Sequence, residues 1–186
     1  MAGWIEGRDF PSDFPLLDVS QAVPSYPPAD ALRNHMAKRL NEPATSIYTD
    51  IPGLSALRES LARHLSDEYQ GHVTPSQVGV TAGCNQAFCI AMDTLAGPGD
   101  EVVMPLPYFF NHQMWLAMRG MVPVPPPFEE GLPSFESIAN AITDRTRAIA
   151  IVSPSNPTGV EYPPALFSSL YRLAQERSIA LVIDET

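Results

Sequence analysis

The sequence predicts an α/β fold of three layers, α/β/α, with a mostly parallel sheet and an N-terminal arm and helix ahead of it. Three observations carry this. From residue 77 onward, short apolar runs alternate with helical stretches of ten or so residues, the pattern of strand–helix–strand crossovers. The runs are apolar throughout, as strands are when both faces are covered. The 186 residues are 45% apolar and 17% charged, enough for one real core.

In chain order, residues 1–28 are rich in Pro and Asp, with only short apolar runs. "SYPPADALRNHMAKRL" opens a helix. Pro28 suits the approach, Asp30 can cap, and Leu32, His35, Met36 and Leu40 fall near one face. "NEPATSIYTDIPG" is a loop punctuated by Pro and Gly. "LSALRESLARHLSDEYQ" is an amphipathic helix with Leu54, Leu57, Leu61 and Leu65 on one face. "QVGVTAG" then reads as strand and turn, "CNQAFCIAMDTLA" as helix, "EVVMP" as strand and "FNHQMWLAMRG" as helix. "MVPVP" is a short strand, "SFESIANAI" a helix and "RAIAIVSP" a strand. "PPALFSSLYRLAQERS" is the last helix and "IALVIDE" the last strand. "PVPPPFEEGLP" is a proline-stiffened surface connection.

A net charge of −10 argues against nucleic acid and anionic membrane as partners. Cys84 and Cys89, the only cysteines, sit on one predicted helix and make a poor disulfide pair. No ligand spacing for a metal is present, and His35, His64, His72 and His112 read as ordinary helix or surface residues. No stretch approaches the ~20 apolar residues of a membrane span, and the start lacks an apolar signal core, so a reducing cytoplasm is expected. Of 11 basic residues, Lys38 is the single lysine.

In an open parallel sheet, ligands bind beyond the carboxyl ends of the strands. The first such end carries "TAGCNQA", Thr81 to Ala87, where a small-residue turn feeds a helix start. Free N–H groups there suit an anion, most often a phosphate; a plain strand-to-helix turn would use the same residues. The second carries "PLPYFF", whose rings either stack on a flat ligand or fill the core. The third carries "SPSNPTG", where Pro157 biases Asn156 toward extended geometry and lets it present an amide. The last carries Asp184, a carboxylate closing an apolar run, costly unless paired or solvated. An anion cradle, a ring platform, an amide and an acid together fit a planar aromatic phosphate with a protonatable ring nitrogen, which describes pyridoxal 5′-phosphate.

These residues resemble the fold-type I pyridoxal-phosphate enzymes, in the class I/II aminotransferase branch. "LDVSQAVPSYPP" is similar to that family's N-terminal substrate-side strip, and "YTDIPGLSALR" to its Tyr-x-x-x-x-Gly-Leu segment. "TAGCNQA" resembles its phosphate turn, "SPSNPTG" its most specific short signature, and "VIDET" the strand bearing the aspartate of the pyridine nitrogen. The resemblance implies that Gly83, Cys84 and Asn85 hold the phosphate. Phe109 would stack on the ring, with Tyr108 the alternative one place earlier. Asn156 would donate to the ring hydroxyl oxygen, and Asp184 would keep the ring nitrogen protonated, making the ring an electron sink. Tyr48 would reach the cofactor of a neighbouring subunit in a homodimer, and Ala22 would lie near the substrate carboxylate. Residues 1–45 would be an arm and helix belonging to the small domain and dimer contact, and residues 46–186 an incomplete cofactor-binding large domain.

The implied activity is amino-group transfer from an amino acid to a 2-oxo acid. The family's lysine, which carries the cofactor as a Schiff base, should follow the "VIDET" strand; Lys38 precedes every motif of the large domain and does not match it. The expectation is therefore a truncated chain, with no catalytic residue of its own and inactive by itself. C–S lyases and cyclopropane-forming synthases of the same family are the alternative, as is a non-catalytic aminotransferase-like module. A nucleotide-binding Rossmann domain is disfavoured, because no G-x-G-x-x-G follows the first strand.

Overall fold

The computed structural model describes residues 2–17, 24, 26–127 and 131–186. The chain divides into two compact units, residues 1–49 and residues 50–186. The first holds α1 (Ala2–Ile5), α2 (Asp30–Leu40) and a 3₁₀ turn, Pro43–Ser46. The cap expected at Asp30 falls one place earlier. Ala29 is the N-cap, with no side-chain bond, and Asp30 is the first helical residue, ion-paired with Arg33 one turn on. Asp30 at the start of α2 and Lys38 and Arg39 at its end both suit the helix dipole. No residue of α2 is buried, so Leu32, Met36 and Leu40 stand exposed.

The second unit holds α3 (Ser55–Glu68), α4 (Cys84–Leu95), β1 (Glu101–Val103), α5 (Phe110–Met118) and β2 (Val122–Val124). It continues with α6 (Phe135–Asn140), β3 (Thr146–Val152), α7 (Pro164–Arg177) and β4 (Ala180–Asp184). The four strands form one parallel sheet in the order β2-β1-β3-β4. Pro123 fits in β2 because that strand lies at an edge, where a missing N–H costs no internal ladder bond. The apolar row expected along α3 is only half covered, with Leu54 and Leu57 exposed.

One expected strand is absent. Val78 is extended, at φ −108°, ψ 126°, but no strand among the described residues pairs with residues 78–80. Val80 N donates instead to Pro52 O at 2.9 Å. Apolar character selected an extended backbone there; a ladder also needs a neighbour offering backbone groups in register.

Period-two alternation within the strands builds the layers. Val102, Ala148 and Ala150 face Phe88 and Met92 of α4 and Leu116 of α5. Val103, Ile149 and Ile151 face Ile138 of α6 and Leu170 and Leu173 of α7. The central strands β1 and β3 are therefore covered on both sides, and this is why the sequence shows unbroken apolar runs there, while Val122 of β2 and Ile183 of β4 at the edges stay exposed. At the end of α7, Ser178 takes the left-handed conformation (φ 54°), and Ile179 N bonds Ala174 O at 3.0 Å, which turns the chain directly into β4.

At the opposite end of the sheet from the candidate site, Glu101 is only 3% exposed. Its carboxylate accepts from Thr143 Oγ1 and Arg145 Nη2. The Thr143 bond, then the Arg145 guanidinium, hold its pKa below the usual value against the opposing effect of burial. Arg145 is largely exposed, so solvent screens the ionic part and the buried hydrogen bond carries more of the effect. A carboxylate with a depressed folded pKa stabilises the protein above its unfolded pKa and loses that contribution as pH falls through the folded value. Glu101→Gln is expected to cost about 1–3 kcal/mol in urea unfolding at pH 7. That cost should begin to shrink below about pH 4.5, where the unfolded chain takes up the proton, and vanish as pH falls through the lower folded value.

Candidate functional site

The site forms where sheet topology leaves a crevice. β1 and β3 are neighbours, and their outgoing connections diverge: β1 leads to β2 on one side, and β3 leads to β4 on the other. Such a switch point opens a groove beyond the carboxyl ends of the strands. Cys84, Asn85, Phe109, Val152, Asn156, Asp184 and Thr186 line a partly open hollow there of about 220 Å³.

Each wall has a local cause. Gly83 is the N-cap of α4, at φ 94°, ψ 164°. A side chain there would meet nothing within 4 Å, so it is the backbone angle that calls for glycine. Thr81 Oγ1 donates to Gly83 O at 2.9 Å, and Gln86 Oε1 accepts from Ala82 N at 2.7 Å, pinning the turn from both sides. The first intrahelical bond is Ala87 N to Gly83 O, so the N–H groups of Cys84, Asn85 and Gln86 precede the ladder and are available to an anion.

From the end of β1, Phe109 reaches the hollow, while Tyr108 packs against the core on the Phe88 side. Alternate residues of an extended segment point to opposite sides, and Phe109 holds the outward place. The turn after β3 is closed by Ser155 N to Val160 O at 2.8 Å and Gly159 N to Ser155 O at 2.6 Å, which presents Asn156 at its rim. In the β3–β4 register, Val152 is paired with Asp184, and Ser153 N bonds Asp184 O at 2.9 Å. The acid is therefore carried by a ladder position.

Asp184 is 9% exposed. Its Oδ1 accepts from Thr186 N at 3.0 Å, Thr186 Oγ1 at 2.7 Å and Cys84 Sγ at 3.2 Å. Its Oδ2 lies 3.1 Å from His112 Nε2. Burial pushes the carboxyl upward, but the Thr186 and Cys84 bonds and the His112 ring outweigh it and hold the pKa below the usual range.

His112 corrects the expectation that all four histidines are ordinary helix or surface residues. It is 2% exposed, stacks on Phe88 at 3.6 Å with the planes 8° apart, and meets Phe109 edge-on at 5.2 Å. Burial lowers its pKa, with Asp184 opposing in part. The Nε2–Oδ2 contact is at ion-pair distance but not aligned as a hydrogen bond, so this buried nitrogen has no bonded partner among the described residues. The sequence held a signal for it: His112 follows Phe109 by three residues at the start of a helix, so the two share a face.

Other expected residues lie elsewhere. Tyr48 belongs to the first unit, with its side chain wholly in solvent. Ala22 lies outside the described residues. Lys38 is on α2, exposed. Cys84 and Cys89 are both free thiols. No group of three or more potential metal ligands occurs among the described residues, and no helix there is long and apolar enough to cross a membrane.

Residues 15–186 match the family model described as "Aminotransferase class I and II". Among curated proteins, aspartate aminotransferase of Thermotoga maritima is 32% identical over 174 residues, covering 91% of this chain and 46% of that protein. Aspartate/prephenate aminotransferase of Thermus thermophilus is 34% identical over 173 residues, covering 91% and 45%. Among solved structures, the Thermotoga maritima aspartate aminotransferase superposes with a TM-score of 0.83 at 28% identity, over 94% of this chain and 47% of that one. An alanine aminotransferase from Pyrococcus furiosus gives 0.78 at 29% identity, over 87% and 42%. The chain thus spans about half the length of the relatives it matches.

Gly83→Ala is expected to destabilise the protein by about 1–3 kcal/mol, because alanine must adopt φ 94°, ψ 164°, a region essentially confined to glycine. Thermal unfolding measures it. A Gly83→Asn variant should lose as much, because asparagine tolerates the left-handed helical region and not ψ 164°.

Proposed function

Because this chain belongs to the class I and II aminotransferase family, we propose that it forms the cofactor-holding part of a pyridoxal-phosphate-dependent aminotransferase, acting between an amino acid and a 2-oxo acid. One observation carries the reading: Asn85, Phe109, Asn156 and Asp184, from four separate segments that resemble family motifs, line one hollow at the switch point of the sheet. The donor set fits the group. The phosphate takes the N–H groups at the start of α4 and the Asn85 side chain, with the helix dipole favouring its charge. Phe109 covers one face of the ring. Asn156 donates its amide to the ring hydroxyl oxygen. Asp184, ionised and buried, accepts from the protonated ring nitrogen, and that cation supplies the charge an isolated buried carboxylate lacks.

When bound, the cofactor supplies an electron sink for carbanion chemistry at the amino acid. The residues of this chain bind and orient it. Asp184 holds a proton at the ring nitrogen, because its own pKa is depressed. His112 walls off the far side of that carboxylate from water. Tyr48, wholly exposed on the first unit, serves the site of a second subunit in a homodimer. Within residues 1–186 the single lysine is Lys38, on an exposed helix of the first unit. These residues by themselves therefore hold the cofactor without a covalent bond and do not turn over.

Titration with pyridoxal phosphate, followed by fluorescence quenching, tests the reading. Asp184→Asn should weaken binding by roughly tenfold or more, as expected for loss of a charged hydrogen-bond partner. Borohydride treatment of residues 1–186 should fix no cofactor to a defined residue. A stoichiometric adduct with turnover would refute the non-covalent claim, and failure of wild-type to bind at all would refute the site.

A further inference from the structure

We infer that Cys84 is a positioning residue: its thiol, at the first position of α4, locks the Asp184 carboxylate in one orientation, so that Oδ2 alone is left to meet a ligand. The inference rests on the reading of Asp184 as the ring-nitrogen partner and adds to it a residue otherwise assigned only to the phosphate end.

The two oxygens of Asp184 have unequal surroundings. Oδ1 accepts from three donors: Thr186 N, Thr186 Oγ1 and Cys84 Sγ. Among the described residues, Oδ2 meets only the His112 ring. A carboxylate oxygen has two lone pairs, so three donors saturate Oδ1. Two of the three come from residue 186, beside the acid in sequence, and move with the tip of β4. Cys84 comes from 100 residues away, on α4. It is the only one of the three that ties the carboxylate to the helix whose N–H groups face the hollow. Ring nitrogen and phosphate are opposite ends of one rigid ligand, so the spacing of acid and helix start matters, and the Sγ–Oδ1 contact spans that gap directly.

Cys84 is suited to donate. Burial raises its thiol pKa, and the adjacent Asp184 carboxylate raises it further, although a bond from Thr186 acts in the other direction. The sulfur therefore keeps its proton at neutral pH. A serine would make the same bond with a shorter reach; an alanine would leave Oδ1 held by residue 186 alone.

The contact is reciprocal, which permits a test without cofactor. Alkylation of Cys84 by iodoacetamide is followed against pH by peptide mass spectrometry, with Cys89 as internal reference. Asp184→Asn is expected to lower the pH midpoint of Cys84 by about half a unit or more, by removing a neighbouring negative charge, and to leave Cys89 unmoved. An unchanged Cys84 midpoint overturns the proposal. In the second arm, pyridoxal phosphate is titrated into Cys84→Ala and Cys84→Ser. The alanine variant should bind roughly three- to tenfold more weakly, as for loss of one modest hydrogen bond, and the pH midpoint of the bound cofactor's absorbance should shift. The serine variant should recover both. Equal affinity and spectra for wild-type and Cys84→Ala overturn the positioning role. If wild-type binds no pyridoxal phosphate, the reading of the hollow fails, and the alkylation arm alone decides the Cys84–Asp184 contact.

Discussion

A carboxylate almost withdrawn from water, at the tip of an apolar strand, sets the terms for everything around it. Asp184 cannot sit there at low cost without donors. The structure meets this demand with three donors on one oxygen and an imidazole against the other. The result is an acid that stays ionised, has a fixed orientation, and lacks a full positive charge opposite it. His112 does not supply that charge, because its burial favours the neutral ring. A site with a fixed anion and an uncommitted face favours a cationic partner, which is the electrostatic basis of the pyridinium proposed there.

The sheet delivers that acid to the right place. The β3–β4 register sets Asp184 beside Val152, and the next residues of the β3 connection lead within one turn to Asn156. The diverging connections of β1 and β3 leave the crevice between them unfilled. Helices α4 and α5 are pressed on the sheet by the cluster of Phe88, Met92, Leu116 and Val102. That packing holds the start of α4 facing the crevice and stacks His112 on Phe88. The hydrophobic core on this side is thus the scaffold of the site, and a loss of packing at Phe88 would move an imidazole as well as a helix.

Most of this arrangement was legible in the sequence, for identifiable reasons. Strand-end residues are readable because apolar runs mark the strands and parallel order fixes which end is which. Thus the places of Asn156 and Asp184 at strand ends follow from pattern, whereas the choice of Phe109 over Tyr108 came from the resemblance, and the structure puts Phe109 in the hollow and Tyr108 against the core. Three things were not legible. The piece at residues 78–80 has the composition of a strand, but pairing is a property of two segments and only one was in view. Asp30 has the chemistry of a cap, yet the chain enters the helix one residue sooner. His112 was set aside as ordinary because no metal-ligand spacing surrounds it, and its three-residue offset from Phe109 gains meaning only once both are placed beside Asp184. Its role arises from contacts to Phe88 and Asp184, 24 and 72 positions away in sequence.

The division of labour between the two ends of the hollow has a consequence for selectivity. An anion at the start of α4 is held by backbone N–H groups and a dipole, which accept many anions with little discrimination. The Asp184 end is more demanding, since a neutral or anionic group there would leave a buried carboxylate without compensation. Free phosphate or sulfate would satisfy only the first end. The proposed ligand, cationic at one end and anionic at the other, would satisfy both. Discrimination therefore rests chiefly on Asp184. Its precision depends on how firmly neighbouring groups hold one carboxylate oxygen, and the helix start sets only the distance at which the anion must lie.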